Sequence, residues 1–141
     1  MKKRKVQSVI FYCDADQNKH FLLLRVNKKR GLFWQNSTGS VEENESFQEA
    51  AIREAIEETA LTKNNLISID DANLDFKFKD QWGFEAEEKV FYLKCKELWK
   101  VELDPTEHSE YKWVNQKDFS SSFLKFETNS KAVLKCMEEK C

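Results

Sequence analysis

The segment from Ser46 to Ala60 constrains the fold most, because it is a well-delimited predicted helix with segments of high β-strand propensity on both sides. Glu49 follows Ser46 by three residues, and this capping-box pattern predicts that the helix begins there. Short apolar runs precede and follow the helix, and polar turn residues bound each run. With a second helix near the C-terminus, this order predicts a single domain over residues 1–141. The expected fold class is α/β, an α/β/α sandwich on a mixed β-sheet.

The apolar pattern also places the individual elements. Strands are expected at 7–13 and 20–26, and the turn-rich run 14–18 joins them into a hairpin. The polar run 35–45 is expected to be a loop. Further strands are expected at 66–69, 74–78, 89–95 and 111–114, and the last helix at 129–139 with Ala132, Val133, Cys136 and Met137 on its inner face.

Composition excludes several classes of protein. Eleven Phe and four Trp in 141 residues supply enough apolar surface for a folded core, so disorder is excluded. A run of 18 apolar residues is absent, which argues against a membrane protein. A net charge of −2 makes nucleic acid an unlikely partner. The four cysteines show neither metal-ligand nor scaffold spacing, so free thiols and a cytoplasmic location are expected.

The first helix carries three carboxylates at close spacing. At about 100° per residue, Glu54, Glu57 and Glu58 fall on one arc. This arc is roughly opposite the face expected to pack on the sheet, which consists of Ile52, Ala55, Ile56 and Thr59. Like charges at these spacings repel by a few tenths of a kcal/mol per pair, so stability does not explain the arrangement. Carboxylate oxygens are ligands that suit Mg²⁺ and Mn²⁺. The helix is therefore a candidate site for a divalent cation.

A solvated acidic helix face is the alternative interpretation. Glu-rich surface helices are common, and Arg53 lies where it could pair with Glu49 or Glu57. Taken alone, the run from Arg53 to Glu58 favours this simpler explanation. The residues that flank the helix are needed to decide between the two.

Those residues resemble the Nudix box, G-x5-E-x7-R-E-U-x-E-E-x-G-U, in which U is apolar. Eight of the nine specified positions match: Gly39, Glu45, Arg53, Glu54, Ala55, Glu57, Glu58 and Leu61. The chain has only three glycines, and one stands where the pattern requires it. The departure is Ala60 in place of Gly, at a helix end that often takes a left-handed conformation. An alanine there costs roughly 1 kcal/mol.

The resemblance implies a Nudix-like fold with a loop-helix-loop catalytic motif, and hydrolysis of a nucleoside diphosphate linked to another moiety. The implied partner is a small molecule with a phosphoanhydride bond, and the implied cofactor is Mg²⁺, with Mn²⁺ as a substitute. Glu54 and Glu58 are the expected metal-binding pair, and Glu57 is either a third ligand or the general base. Glu45 and Arg53 are expected to orient these carboxylates. Nothing in the sequence indicates an oligomeric state.

Two segments sharpen the resemblance, toward the Nudix subfamily of bacterial dihydroneopterin triphosphate diphosphatases. They are residues 33–43 and 107–113. In that subfamily the glutamate that opens the second segment is a metal ligand, which implies this role for Glu107. Trp34, Thr38 and His108 lie in these segments and are the candidates for binding substrate. Gly39 is expected to let the loop approach metal and phosphate closely.

Three functions remain open at this point. The first is a Mg²⁺-dependent diphosphatase acting on dihydroneopterin triphosphate or a related triphosphate. The second is a Nudix hydrolase of other substrates, such as dinucleoside polyphosphates, nucleotide sugars or capped RNA ends. The third is a non-catalytic Nudix-fold binding module, which would not need three mutually repelling glutamates.

Overall fold

The computed structural model describes residues 2–80 and 82–141 of the chain. Within these ranges the backbone forms seven strands and two α-helices. They are β1 (Lys3–Cys13), β2 (Lys19–Val26), β3 (Trp34–Gln35), β4 (Ser37–Ser40), α1 (Phe47–Thr59), β5 (Leu66–Lys79), β6 (Glu85–Cys95), β7 (His108–Asn115) and α2 (Glu127–Glu138). Single 3₁₀ turns lie at Lys28–Arg30, Lys63–Asn65 and Ser121–Phe123.

Strand β1 organises the sheet. Its N-terminal part, from Lys5 to Ser8, pairs antiparallel with β4, and its C-terminal part, from Phe11 to Cys13, pairs antiparallel with β2. Its other edge runs parallel to β6. Strand β2 extends the sheet to β3 and β7, and β6 extends it to β5. The predicted mixed sheet is confirmed.

Each face of this sheet is covered by one helix. Alternate residues of a strand point to opposite faces, and Val6 and Ile10 of β1 pack with α1 while Val9 and Phe11 pack with α2. The inner face of α2 is also as expected, since Ala132, Val133 and Cys136 are buried and Met137 packs beside them. The predicted α/β/α sandwich is therefore confirmed.

The expected boundaries of α1 are confirmed in detail. The Ser46 hydroxyl accepts a hydrogen bond from the backbone N–H of Glu49, and the Glu49 carboxylate accepts one from the N–H of Ser46, each at 3.0 Å. At the other end, Ala60 has φ of 59° and ψ of 25°, the left-handed conformation expected at this position. The helix therefore ends where the pattern places it, with alanine accepting the strain that glycine would avoid.

Two expectations about strands are wrong. The polar run 35–45 is not wholly a loop, because β4 is built from Ser-Thr-Gly-Ser and pairs with β1. Pairing with a central strand outweighs the weak β-propensity of these residues. The strands expected at 66–69 and 74–78 form one long strand, β5, which is irregular around Asn73, a residue with φ of 56°.

The expectation of free thiols is half right. Cys95 and Cys136 are buried free thiols, whereas Cys13 at the end of β1 is joined to Cys141 in a disulfide. The two residues are 128 positions apart in the sequence, so the spacing of the cysteines could not indicate the pair.

Among the described residues, no helix is long and apolar enough to cross a membrane.

Candidate active site

The face that helix α1 turns to the sheet overlaps only in part with the predicted face of Ile52, Ala55, Ile56 and Thr59. Its buried residues are Ala50, Ala51, Ala55, Glu58 and Thr59, whereas Ile52 and Ile56 are only partly buried. The small alanines allow a close approach, and the Ser8 hydroxyl of β1 lies 3.4 Å from the carbonyl oxygen of Ala51. The prediction that the three glutamates share an arc opposite the buried one is therefore wrong.

The three glutamates differ greatly in exposure as a result. The side chain of Glu58 is 4% exposed, that of Glu54 is 16% exposed and that of Glu57 is 58% exposed. Glu58 and Glu54 turn inward beside β4, while Glu57 remains at the surface. The helix thus carries two carboxylates into the protein and leaves the third outside.

Glu58 is the most deeply buried carboxyl group of the three. Its Oε1 accepts a hydrogen bond of 2.5 Å from the Ser37 hydroxyl. Burial, together with the charges of Glu54 and Glu107, nevertheless raises the pKa of Glu58 to about 8, because the hydrogen bond from Ser37 only partly opposes these effects. Ser37, which was not among the sequence candidates, contacts the centre of the site.

Three potential metal-binding groups meet at this position. Glu58, Glu107 and His108 each offer a ligand atom, and these atoms lie within 4.8 Å of one another. Glu54 and Glu58 line the same small cavity as Glu107, with a volume of about 240 Å³. The chain therefore brings three of its four predicted metal ligands to one cavity.

His108 closes the inner wall of the site. It is fully buried, its Nε2 lies 3.8 Å from Glu58 Oε2 and 3.3 Å from Gln35 Nε2, and its Nδ1 has no hydrogen-bond partner among the described residues. Burial lowers the pKa of His108 to about 4, and the nearby charge of Arg30 adds to this effect. The imidazole is therefore neutral at pH 7, the form in which it can act as a metal ligand.

Arg53 connects the loop before α1 to the glutamates on it. Its guanidinium binds both carboxylate oxygens of Glu45 at 2.7 and 3.0 Å and donates to the carbonyl oxygen of Ser40 at 2.9 Å. The same group reaches Glu54 at 3.0 Å and Glu57 at 3.2 Å. These hydrogen bonds lower the pKa of Glu45 to about 2 and raise that of Arg53. A bidentate pair of this kind fixes geometry as well as charge.

Position 39 requires glycine because another side chain lies too close for a Cβ atom, and not because of the backbone conformation. It lies in β4, and its φ is not in the left-handed region. A Cβ atom at this position would overlap the side chain of Glu54. The glycine therefore makes room for a carboxylate of the site, and the expected approach to metal and phosphate remains a prediction.

Two sequence candidates lie elsewhere. The Glu57 carboxylate contacts Arg53 and lines a separate surface groove, so its assignment as ligand or base stays a prediction. Trp34 packs on the core cluster under α2, with the ammonium group of Lys112 4.4 Å from its ring centre, and it does not line the acidic cavity. Thr38, in contrast, lines both the acidic cavity and a larger cavity beside it.

The donor set fits a divalent cation. Burial raises the pKa of Glu54 and Glu58, and the neighbouring carboxylates add to this rise. A bound cation would stabilise the charged carboxylates and so lower both pKa values. Lys5 and Arg30 are the cationic side chains of the acidic cavity, and Arg30 lies 3.7 Å from Glu107. Carboxylate oxygens suit Mg²⁺ and Mn²⁺, and an added imidazole nitrogen is more compatible with Mn²⁺.

The buried position of Glu58 predicts a pH effect on the metal-free protein. Its folded pKa of about 8 exceeds its ordinary value of 4.5, so its contribution to stability is complete below pH 4.5 and is lost as the pH rises through 8. Glu58→Gln removes this titration. In thermal unfolding with EDTA, we expect the melting temperature of the wild type to fall relative to the variant across this range. Parallel curves for the two proteins would contradict the burial of an ionisable group here.

A comparison with known protein families supports the resemblance to the Nudix box. The NUDIX domain family matches residues 3–135 of the chain. The chain belongs to the NUDIX family. A dihydroneopterin triphosphate diphosphatase of Haemophilus influenzae is 30% identical over 135 residues, which cover 90% of this chain and 83% of that protein.

Solved structures show the same NUDIX fold. A binary complex of the Ap4A hydrolase of C. elegans has a TM-score of 0.79 and 25% identity, covering 95% of this chain and 94% of the other. The dihydroneopterin triphosphate pyrophosphohydrolase of E. coli has a TM-score of 0.77 and 24% identity, covering 96% and 94%. The predicted enzyme class, a pyrophosphohydrolase of the NUDIX family, is confirmed by the family match and by the Haemophilus relative.

Proposed function

We propose that this NUDIX enzyme hydrolyses dihydroneopterin triphosphate to the monophosphate and pyrophosphate. The observation that supports the substrate is the Haemophilus relative, which is 30% identical over most of both chains and carries that activity in its name. The segment that opens with Glu107 and His108 supports it further, because both residues lie at the acidic cluster. The acidic cavity of about 240 Å³, lined by both carboxylates and cations, suits the phosphate chain of such a substrate.

In this proposal, Glu54, Glu58 and Glu107 hold Mg²⁺, and Mn²⁺ can replace it. A bound divalent cation would neutralise the phosphoryl oxygens and would make a water molecule easier to deprotonate. Arg53 holds Glu54 in place and ties the loop at Glu45 to α1. We assign no general base, because Glu57 is bonded to Arg53 at the surface and does not line the acidic cavity.

The side chains of the cavity suggest how the phosphates are bound. Lys5 and Arg30 line the acidic cavity and can each pair with a phosphate oxygen that the metal does not contact. Thr38 lies on the same wall and can donate from its hydroxyl group. The products would be a monophosphate and pyrophosphate, because the bond to be cleaved lies between the first and second phosphates.

A second candidate is the hydrolysis of dinucleoside polyphosphates. It is favoured by the C. elegans Ap4A hydrolase, whose structure superposes with a TM-score of 0.79 at 25% identity. The catalytic groups would be the same in both cases, and only the part of the cavity beyond the phosphates would differ.

A release screen distinguishes these proposals. Phosphate and pyrophosphate are measured with Mg²⁺ and with EDTA, using dihydroneopterin triphosphate, each nucleoside triphosphate, diadenosine tetraphosphate and nucleotide sugars. We expect pyrophosphate from the pterin substrate, and no product in EDTA. If inorganic phosphate is the first product, the proposed bond is wrong. If none of the substrates is turned over, a binding module is favoured instead.

A further inference from the structure

A second cavity lies beside the acidic one. Its volume is about 500 Å³, within the usual range for a small-molecule site. Its aromatic lining comes from two elements, Phe76 and Phe78 of β5 and Phe126 at the start of α2. Phe78 and Phe126 are 40% and 44% exposed, which is unusual for such large apolar side chains. These rings can cover the faces of a planar ligand.

The two cavities share a wall. Lys5, Gln35 and Thr38 line both of them. A ligand with a planar ring in the larger cavity can therefore extend a chain of phosphates past Lys5 into the acidic cavity. The ring and the phosphates of a nucleotide-like substrate would then lie in neighbouring cavities along the sheet.

A buried carboxyl group, Glu88 of β6, lines the larger cavity. It is 8% exposed, and its Oε1 accepts a hydrogen bond of 2.9 Å from Gln7 Nε2. The amide of Gln7 is itself oriented, because its Oε1 accepts a hydrogen bond of 2.6 Å from Asn36 Nδ2. Gln7 therefore presents its donor to Glu88, and Glu88 Oε2 has no hydrogen bond within the described part of the chain.

We propose that the larger cavity binds the heterocycle of the substrate, and that Glu88 accepts hydrogen bonds from a ring edge with a ring N–H beside an exocyclic amino group. Pterins and guanine share this edge. The inference rests on the proposed function for the position of the phosphates, and it adds the residue that selects the ring.

The selection follows from the number of donors on the ring edge. A carboxylate accepts two parallel hydrogen bonds, as it does from arginine, and the shared edge of pterins and guanine supplies two adjacent N–H groups. Adenine offers an amino group beside a ring nitrogen that only accepts, so one contact becomes repulsive. Burial raises the pKa of Glu88, whereas the hydrogen bond from Gln7 and the charge of Lys5 oppose this rise. Two N–H donors from a ligand would favour the charged form of Glu88 further.

Glu88→Gln tests the inference with little change in shape. The glutamine keeps an acceptor for Gln7 but turns a donor toward the ring, so it opposes one of the two N–H groups. Using Mg²⁺ with dihydroneopterin triphosphate, GTP and ATP, we expect kcat/KM for the first two to fall by at least about tenfold, mainly through KM, while ATP is affected little. Glu87→Gln is the matched control, because adjacent strand residues face opposite sides of the sheet.

Equal losses for all three substrates would show a merely structural effect and overturn the inference, as would unchanged specificity. Binding of neopterin and of guanosine to the metal-free protein, measured by equilibrium dialysis, separates this result from the proposed function. We expect the wild type to bind at least one of these rings and Glu88→Gln to bind it at least about tenfold more weakly. This outcome would support the cavity assignment even without turnover, and equal binding by the two proteins would overturn it.

Discussion

Replacing Glu58 by glutamine is expected to lower kcat/KM for the substrate by at least about 10²-fold, the usual contribution of a metal-binding or proton-transferring group. The substitution preserves shape and can keep the hydrogen bond from Ser37. It removes the carboxylate that Glu58 would offer to a cation at the cluster formed with Glu107 and His108. The loss should therefore appear mainly in kcat and should not be recovered at saturating substrate.

The matched control is Glu43→Gln, which removes an exposed carboxylate from the loop before α1 without touching the cavity. Initial rates in Mg²⁺ measure both variants, and circular dichroism checks that both remain folded. The control should retain wild-type activity. Wild-type-like turnover in Glu58→Gln would show that the metal and the reaction lie elsewhere.

Replacing Arg53 by alanine is expected to lower kcat/KM by about 10- to 100-fold and to destabilise the protein. Groups that orient metal ligands typically contribute effects of this size. The alanine leaves Glu45, whose side chain is 14% exposed, without its bidentate partner, and it frees Glu54 and the carbonyl oxygen of Ser40. Loss of these charge-assisted hydrogen bonds is expected to lower the stability of the loop before α1.

Arg53→Lys separates charge from geometry. Lysine keeps the positive charge but cannot form the two parallel bonds to Glu45, so we expect an intermediate loss of activity. Steady-state kinetics and urea unfolding measure the two effects. If Arg53→Lys equals the wild type in both, the fixed geometry of the guanidinium is unimportant. If Arg53→Ala loses stability but keeps its activity, the contact with Glu54 does not support the reaction.

Much of the fold follows from local sequence signals. The capping box at Ser46, the left-handed Ala60 and the hairpin of β1 and β2 depend on neighbouring residues, and each is found where the pattern predicts it. The spacing from Gly39 to Glu58 likewise identifies the motif, because a box of this kind is local in sequence. These features could be read from the chain because their partners lie within a few positions.

The geometry of the site depends on residues that are distant in the sequence. The wheel of α1 correctly places Ala55 and Thr59 on the inner face, but the helix is rotated so that Glu58 is buried there as well and Ile52 is only partly buried. Ser37 contacts Glu58 because β4 pairs with β1, and a Ser-Thr-Gly-Ser segment gives little sign that it is a strand. Burial of a carboxyl group is decided by this packing, which a single-sequence pattern does not contain.

The lining of the larger cavity, proposed here to bind the substrate ring, also could not be predicted from local patterns. Phe76 and Phe126 come from different elements and line one cavity only in the folded chain, together with Glu88 from a third. The aromatic residue favoured by its sequence position, Trp34, packs in the core instead. A Phe or Trp in a sequence is more often a core residue than a ligand contact, so only the position of the cavity distinguishes the two.

The specificity constants for dihydroneopterin triphosphate and for diadenosine tetraphosphate, measured side by side with Mg²⁺, test the central claim most directly. The predicted result is a higher kcat/KM for the pterin substrate by at least about tenfold, with pyrophosphate as the released product and no turnover in EDTA. A higher kcat/KM for diadenosine tetraphosphate would contradict the proposed substrate, and turnover that persists in EDTA would contradict the metal site itself.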